Sequence, residues 1–242
     1  MENITGKTDY GYLDKNISEV RAEIKRAAET SGRPSEDITF LAAVKSADTD
    51  EINYIHNVLG IKDIGENRVQ QLMSRYELLD KNDLRIHFIG KLQRNKVKYI
   101  IDKVYMIHSV DTHGLADEIS SRALKCGKKM KVLVEVNIGR EPDKSGAMPE
   151  NVGELAQYVA GLDGLELCGF MTMAPVCESD GEYRTYFSHM RELACDIWHN
   201  VLGRDGRPIL SMGMSGSFRA AIAEGSDIVR IGRRLFQKNS AE

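Results

Sequence analysis

Short runs of β-branched and apolar residues alternate along this chain with longer stretches in which apolar positions recur every three or four residues. The first is a period of strands and the second a period of amphipathic helices. The segment NISEVRAEIKRAAETSG, starting at Asn16, places Ile17, Val20, Ile24 and Ala27 on one helical face. Asn16 and Glu19 read as a capping-box variant at its start and Gly32 as its stop. Eight strand candidates follow, at 38–44, 62–65, 85–90, 104–110, 131–138, 165–173, 208–213 and 227–232. Helical patterns separate them, one capped near Asp48, one opened by Pro149 and running through Ala160, and a long one from about Glu182. Strict alternation of this kind predicts parallel strands joined by helical crossovers. The expected fold is α/β: a single (β/α)8 TIM barrel spanning residues 1–242, with the leading helix supplying the eighth. An open doubly wound sheet uses the same order, but no GxGxxG turn follows the first strand, which weakens that version.

Composition narrows this picture without redirecting it. The 242 residues match an α/β barrel of about 250, and 42% hydrophobic with 29% charged residues is ordinary for a globular chain. Thirty-three Lys+Arg against 36 Asp+Glu leave a net charge of −3. That balance carries no footprint for nucleic acid or an anionic membrane, so any anion must be bound locally. The basic run KLQRNKVK (91–98) reads as the outer face of an amphipathic helix, with Lys91, Arg94 and Lys98 beside Leu92 and Val97. Cys126, Cys168, Cys177 and Cys195 form no CxxC pair and sit at no metal-ligand spacing. The N-terminal MENITGKTDYGYLDKN lacks the pattern of a secretory signal or a bilayer span. The expected location is cytoplasmic.

In a barrel, chemistry gathers at the C-terminal ends of the strands. Here those positions hold Lys45, then Glu66 and Asn67, His87 and Gly90, Asn137, Met173, Ser211 to Ser217, and Arg230 to Arg233. Lys45 closes an apolar strand, where it is either a solvated strand-end lysine or an amine able to form a Schiff base. SMGMSGSFRAAIAEG is a small-residue turn feeding a helix, which is either a phosphate cradle or an ordinary loop with Ser215 as N-cap. Gly232 lets the backbone approach a ligand, and Arg230 points inward if Val229 and Ile231 face the helices. His87 is either a satisfied core histidine or a pocket wall.

Taken together, FLAAVK (40–45), IGENRVQ (64–70), HFIGKLQRNK (87–96), IHSVD (107–111), VEVNI with DKSG (134–138, 143–146), GFMTM (169–173), SMGMS (211–215) and VRIG (229–232) are highly specific. From about Asn16 to Phe236 the chain resembles the pyridoxal phosphate homeostasis protein family, also called the YggS or PROSC family, whose fold is that of the alanine racemase N-terminal domain. The resemblance implies that Lys45 forms an internal aldimine with pyridoxal 5′-phosphate. It implies that Ser211, Ser215 and Gly232 help hold the phosphate, that Arg230 faces the pyridine nitrogen, that Asn67 and His87 line the pocket, and that Met214 belongs to the cofactor site. Three positions depart from the family pattern: Val44-Lys45-Ser46 stands for Ser-Lys-Thr, GSF lacks the usual acidic residue after SMGMS, and Arg233 replaces a hydroxyl residue after VRIG. Arg233 then either restores the lost phosphate contact or points to solvent.

The function so implied is a non-catalytic carrier or regulator of pyridoxal phosphate, monomeric, with PLP-dependent apoenzymes as possible recipients. The alternative is a racemase-like enzyme. That enzyme needs a second domain bearing a tyrosine base, and the chain ends about ten residues after its last strand candidate. A Schiff-base aldolase would use the same lysine and turn without a cofactor.

Overall fold

The computed structural model describes residues 10–238; residues 1–9 of the polar N-terminal segment, and 239–242, lie outside them. Helix α1 (Gly11–Thr30) precedes β1 (Thr39–Ala43), α2 (Thr49–Asn57), β2 (Asp63–Glu66), α3 (Val69–Arg75), β3 (Arg85–Phe88), α4 (Val97–Ile100), β4 (Met106–Val110) and α5 (His113–Lys125). The second half continues with β5 (Met130–Val136), α6 (Val152–Ala160), β6 (Leu165–Thr172), α7 (Asp180–Asp196), β7 (Ile209–Ser211), α8 (Phe218–Ala223), β8 (Ile228–Ile231) and α9 (Arg233–Phe236). The eight strands pair in sequence order, all parallel, and β1 closes onto β8 through the register Leu41↔Arg230. This is the (β/α)8 barrel expected from the alternation. No described helix is long and apolar enough to cross a membrane.

Alternation along each strand separates two environments. Outward residues such as Val132, Val134, Phe170, Val229 and Ile231 join the main hydrophobic core between sheet and helices. Inward residues form two small apolar clusters, Leu41 with Ile89 and Ile228, and Met106 with Leu133 and Met171. Val229 and Ile231 do face the helices, which is the parity that turns Arg230 into the barrel.

Two local readings are corrected. Helix α1 starts at Gly11, so Asn16 is no cap; it is buried, and its Nδ2 donates to the carbonyls of Leu235 (2.9 Å) and Gln237 (3.1 Å). Tertiary acceptors at the far end of the chain thus capture a side chain that local pattern assigns to a cap. Gly32, at φ 67°, does follow the end of α1. The helical turns in the basic run begin only at Arg94, so Lys91 belongs to the loop after β3 rather than to a helix face. The Asp48 cap is present as a full capping box with Glu51.

Candidate functional site

Lys45 lies two residues beyond β1 and is exposed, and no hydrogen bond or ion pair engages its amine among the described residues. Its loop is held from beneath. Arg75, buried at the end of α3, donates from Nε to Glu66 Oε1 (2.7 Å), from Nη1 to the Ala47 carbonyl (2.9 Å) and from Nη2 to the Val44 carbonyl (3.1 Å). Gln71 Nε2 adds a bond to the Lys45 carbonyl (2.9 Å). Burial pushes the Glu66 carboxyl up, and Arg75 opposes that rise. One planar fork therefore fixes both sides of the segment that presents the lysine.

Across the barrel mouth, the loop after β7 turns at Gly213 (φ 91°), where an added Cβ would meet Ala221 Cβ at 2.5 Å. The loop closes on itself through Met214 N donating to Ser217 Oγ (3.1 Å), and Ser217 rather than Ser215 stands at the N-cap position of α8, without a side-chain bond to the helix. Ser215 Oγ instead accepts from the Gly232 amide (3.4 Å), joining this loop to the one after β8. A Cβ at Gly232 would lie 2.7 Å from the Ala43 carbonyl, so glycine brings the β8 end against the β1 end that carries Lys45. The amides of Ser215, Gly216 and Arg233 have no partner among the described residues. Of the three arginines at the C-terminal end, Arg234 pairs with Glu23 (2.9 Å) and Arg230 is buried. Arg233 is exposed and free of ion pairs among the described residues. Unpaired amides beside an unpaired guanidinium suit an anion such as a phosphate.

Arg230 forms the floor. Its Nη1 donates to the Ser211 carbonyl and hydroxyl (both 2.7 Å) and its Nη2 to the Thr172 carbonyl (2.9 Å). Burial pulls its pKa down to about 10, with Glu135 opposing, which leaves it charged at neutral pH. Below it a polar relay runs down the barrel: Ser211 Oγ to His108 Nδ1 (3.0 Å), His108 Nε2 to His87 Nδ1 (2.9 Å), and His87 Nε2 to Asp63 Oδ1 (2.9 Å). Asp63 is also gripped by Arg85 at the opposite end. Burial raises the Asp63 carboxyl, but the bonds from His87 and Arg85 outweigh it and hold the group below its usual range. Burial keeps His108 neutral. His87 and Ser211 thus sit inside the barrel with their polar atoms engaged, and they reach the mouth through Arg230. Asn67 lines the β2 end with its Oδ1 buried and without a partner.

Two carboxyls at the mouth, Glu135 in VEVNI and Asp111 in IHSVD, were not singled out by the search of strand ends. Glu135, 3% exposed on β5, is raised to about 7 by burial and by Asp111, with Arg230 and Lys91 opposing. Burial likewise raises Asp111. The signal for Glu135 was its period-2 relation to Asn137 in VEVNI, which puts both on one side of the strand. A carboxyl whose folded pKa lies above its ordinary 4.5 adds stability below that value, and loses it as pH rises through about 7. Glu135→Gln should therefore match the wild type near pH 4 and exceed it above neutrality by at most about 3 kcal/mol. Urea unfolding of the cofactor-free protein across pH checks this, and parallel pH curves would contradict it.

A groove of about 470 Å³ at the opposite end of the barrel, lined by Arg21, Lys62, Asp63 and Arg85, is more open. Its cations are already engaged, Arg21 by the Leu59 carbonyl, Lys25 by Glu29, Lys62 by Asp83 and Arg85 by Asp63. The mouth, with a free amine, free amides and the Arg230 guanidinium beneath, has the donors that suit an anionic carbonyl compound.

Residues 16–239 match the family described as alanine racemase, N-terminal domain. The pyridoxal phosphate homeostasis protein of Aquifex aeolicus is 44% identical over 92% of this chain and 96% of its own length. That of Escherichia coli is 34% identical over 91% and 94%. The solved structure of PipY from Synechococcus elongatus, with PLP bound, superposes with a TM-score of 0.77 at 28% identity, covering 89% of this chain and all of PipY. The chain belongs to the alanine racemase N-terminal domain family and, within it, to the pyridoxal phosphate homeostasis proteins.

Proposed function

We propose that the barrel mouth binds pyridoxal 5′-phosphate and that the protein serves vitamin B6 homeostasis as a non-catalytic carrier, a single-domain monomer acting in the cytosol. The observation that carries this reading is the pairing of the unengaged Lys45 amine with the unpaired amides and guanidinium of the 215–216 and 232–233 segments. The donor set fits the group: a phosphate for the amides, an aldehyde for the lysine, and a pyridine edge for Arg230. The bound cofactor supplies an aldehyde that condenses with amines and a ring able to accept electrons. Lys45 provides the amine that retains it, and Ser215, Gly216, Gly232 and Arg233 hold its phosphate, with Met214 beside them. Asn67 borders the ring. Ser211 and His87 act by fixing Arg230. Delivery to PLP-dependent apoenzymes completes the role.

Arg233 stands at the start of α9, where a cation is disfavoured unless it meets an anion. Arg233→Ala should weaken PLP binding by about 1.5–3 kcal/mol, the range for hydrogen bonds to charged groups. Fluorescence titration of the cofactor-free protein reads it, and unchanged affinity would place Arg233 in solvent.

Carrier and enzyme separate on proton chemistry. Stabilising a carbanion through the ring works best when the pyridine nitrogen is protonated opposite an anion, whereas Arg230 is cationic and offers only donors. The loaded protein in deuterated water with L-alanine should therefore show neither rapid Cα exchange nor racemisation. Rapid exchange that disappears in Lys45→Ala would establish a racemase-like enzyme instead.

A further inference from the structure

Glu135 has no part in anchoring the phosphate or the aldehyde, and its carboxyl makes no hydrogen bond or ion pair among the described residues although it is 3% exposed. Its oxygens are not among the sealed unpartnered atoms, so the carboxyl faces open space. The side chain opens into a cavity of about 330 Å³, which also meets Lys144, Met173, Pro175 and Met214. This cavity adjoins the cofactor mouth, since Met214 belongs to the phosphate loop and Arg230 acts electrostatically on Glu135.

Its walls are built in advance. Asn137 spends its side chain on the loop, donating to the Glu141 carbonyl (2.7 Å) and accepting from the Glu141 amide (3.1 Å). Ala147 returns to β5 by donating to the Glu135 carbonyl (2.8 Å), and Gly146 packs so closely that a Cβ would lie 2.6 Å from the Asn137 nitrogen. The loop that brings Lys144 to the rim is thus fixed, and the Lys144 ammonium has no partner among the described residues.

We propose that this cavity is a subsite for a free α-amino acid, with Glu135 taking the ammonium group, Lys144 the carboxylate, and the Met173–Met214 wall the side chain. An ammonium would supply the missing partner of Glu135 against Asp111 at the β4 end. Lys91 and Arg230, the cations facing Glu135, come from the loop after β3 and from β8 and already oppose that repulsion. A metal ion is a poorer occupant, because no cluster of three ligating side chains exists among the described residues. The cavity admits one residue-sized molecule and no more. Its biological sense rests on the cofactor reading, since it would set an amine beside a bound aldehyde, but the binding itself does not need the cofactor.

The test uses the full-length, cofactor-free protein and calorimetric titration with L-leucine, 3-methylbutylamine and 4-methylpentanoate, above the Glu135 titration at about 7. Leucine should bind saturably, about tenfold more weakly in Glu135→Gln, and more weakly in Lys144→Ala. The amine should depend on Glu135 and not on Lys144, and the acid should show the reverse. Glu135→Gln preserves shape, and thermal unfolding confirms its fold; Lys144→Ala alters an exposed side chain. No saturable heat with leucine, or equal affinity in Glu135→Gln, would overturn the proposal. Pyridoxal phosphate loading of the same preparation, measured separately, shows whether the cofactor site stands.

Discussion

Arg75→Ala is expected to destabilise the protein by about 3–5 kcal/mol, the cost of leaving one member of a buried ion pair alone. Glu66 is fully buried, and one of its oxygens already lacks a partner. Removing the guanidinium also orphans the Val44 and Ala47 carbonyls, so the damage falls on the segment that carries Lys45. Arg75→Lys should recover only part of the loss, because a single ammonium cannot span three acceptors arranged for a fork. The combined Glu66→Met and Arg75→Met variant should recover most of the stability while leaving the Lys45 loop loose, with weakened cofactor binding. Denaturant midpoints for the wild type, Glu66→Met, Arg75→Met and the combined variant close a cycle that isolates the pair. A loss below about 1 kcal/mol in Arg75→Ala would mean that the pair is not buried as described.

The barrel was legible because its signals are local and repeated. Alternation between two hydrophobic periods survives every helix boundary that was misjudged, and the parity of Val229, Arg230 and Ile231 suffices to turn the arginine inward. The turn after β7 was legible for a similar reason, since small residues between a strand and a helix leave amides unpaired whatever surrounds them. What sequence could not separate was a pocket wall from a support beneath it. His87 and Ser211 lie within recognisable motifs, yet their partners His108 and Asp63 come from other strands, and only strand stagger decides which layer each occupies. Asn16 shows the same limit, because its acceptors lie more than two hundred residues away. Glu66–Arg75 and Glu135 owe their character to burial, which no motif records.

The second large effect concerns Lys45. Its amine is unengaged and its backbone pinned by Gln71 and Arg75; under the proposed function it retains the cofactor covalently, while the amides across the mouth act without it. Lys45→Ala should accordingly keep a phosphate-dependent, reversible affinity for pyridoxal phosphate, weaker than wild type by on the order of a hundredfold, about 2.8 kcal/mol. Its stability should hardly change, since an exposed side chain without partners contributes little. Lys91 and Lys144 are the competing amines, one near the Asp111 and Glu135 carboxyls and the other at the cavity rim. The most direct measurement is borohydride reduction of the loaded wild-type protein followed by peptide mapping. The account predicts that the fixed cofactor resides on the peptide containing Lys45 and that Lys45→Ala, treated identically, loses that label and the visible absorbance after gel filtration. A principal label on Lys91 or Lys144 in the wild type, or full retention by Lys45→Ala, would contradict it.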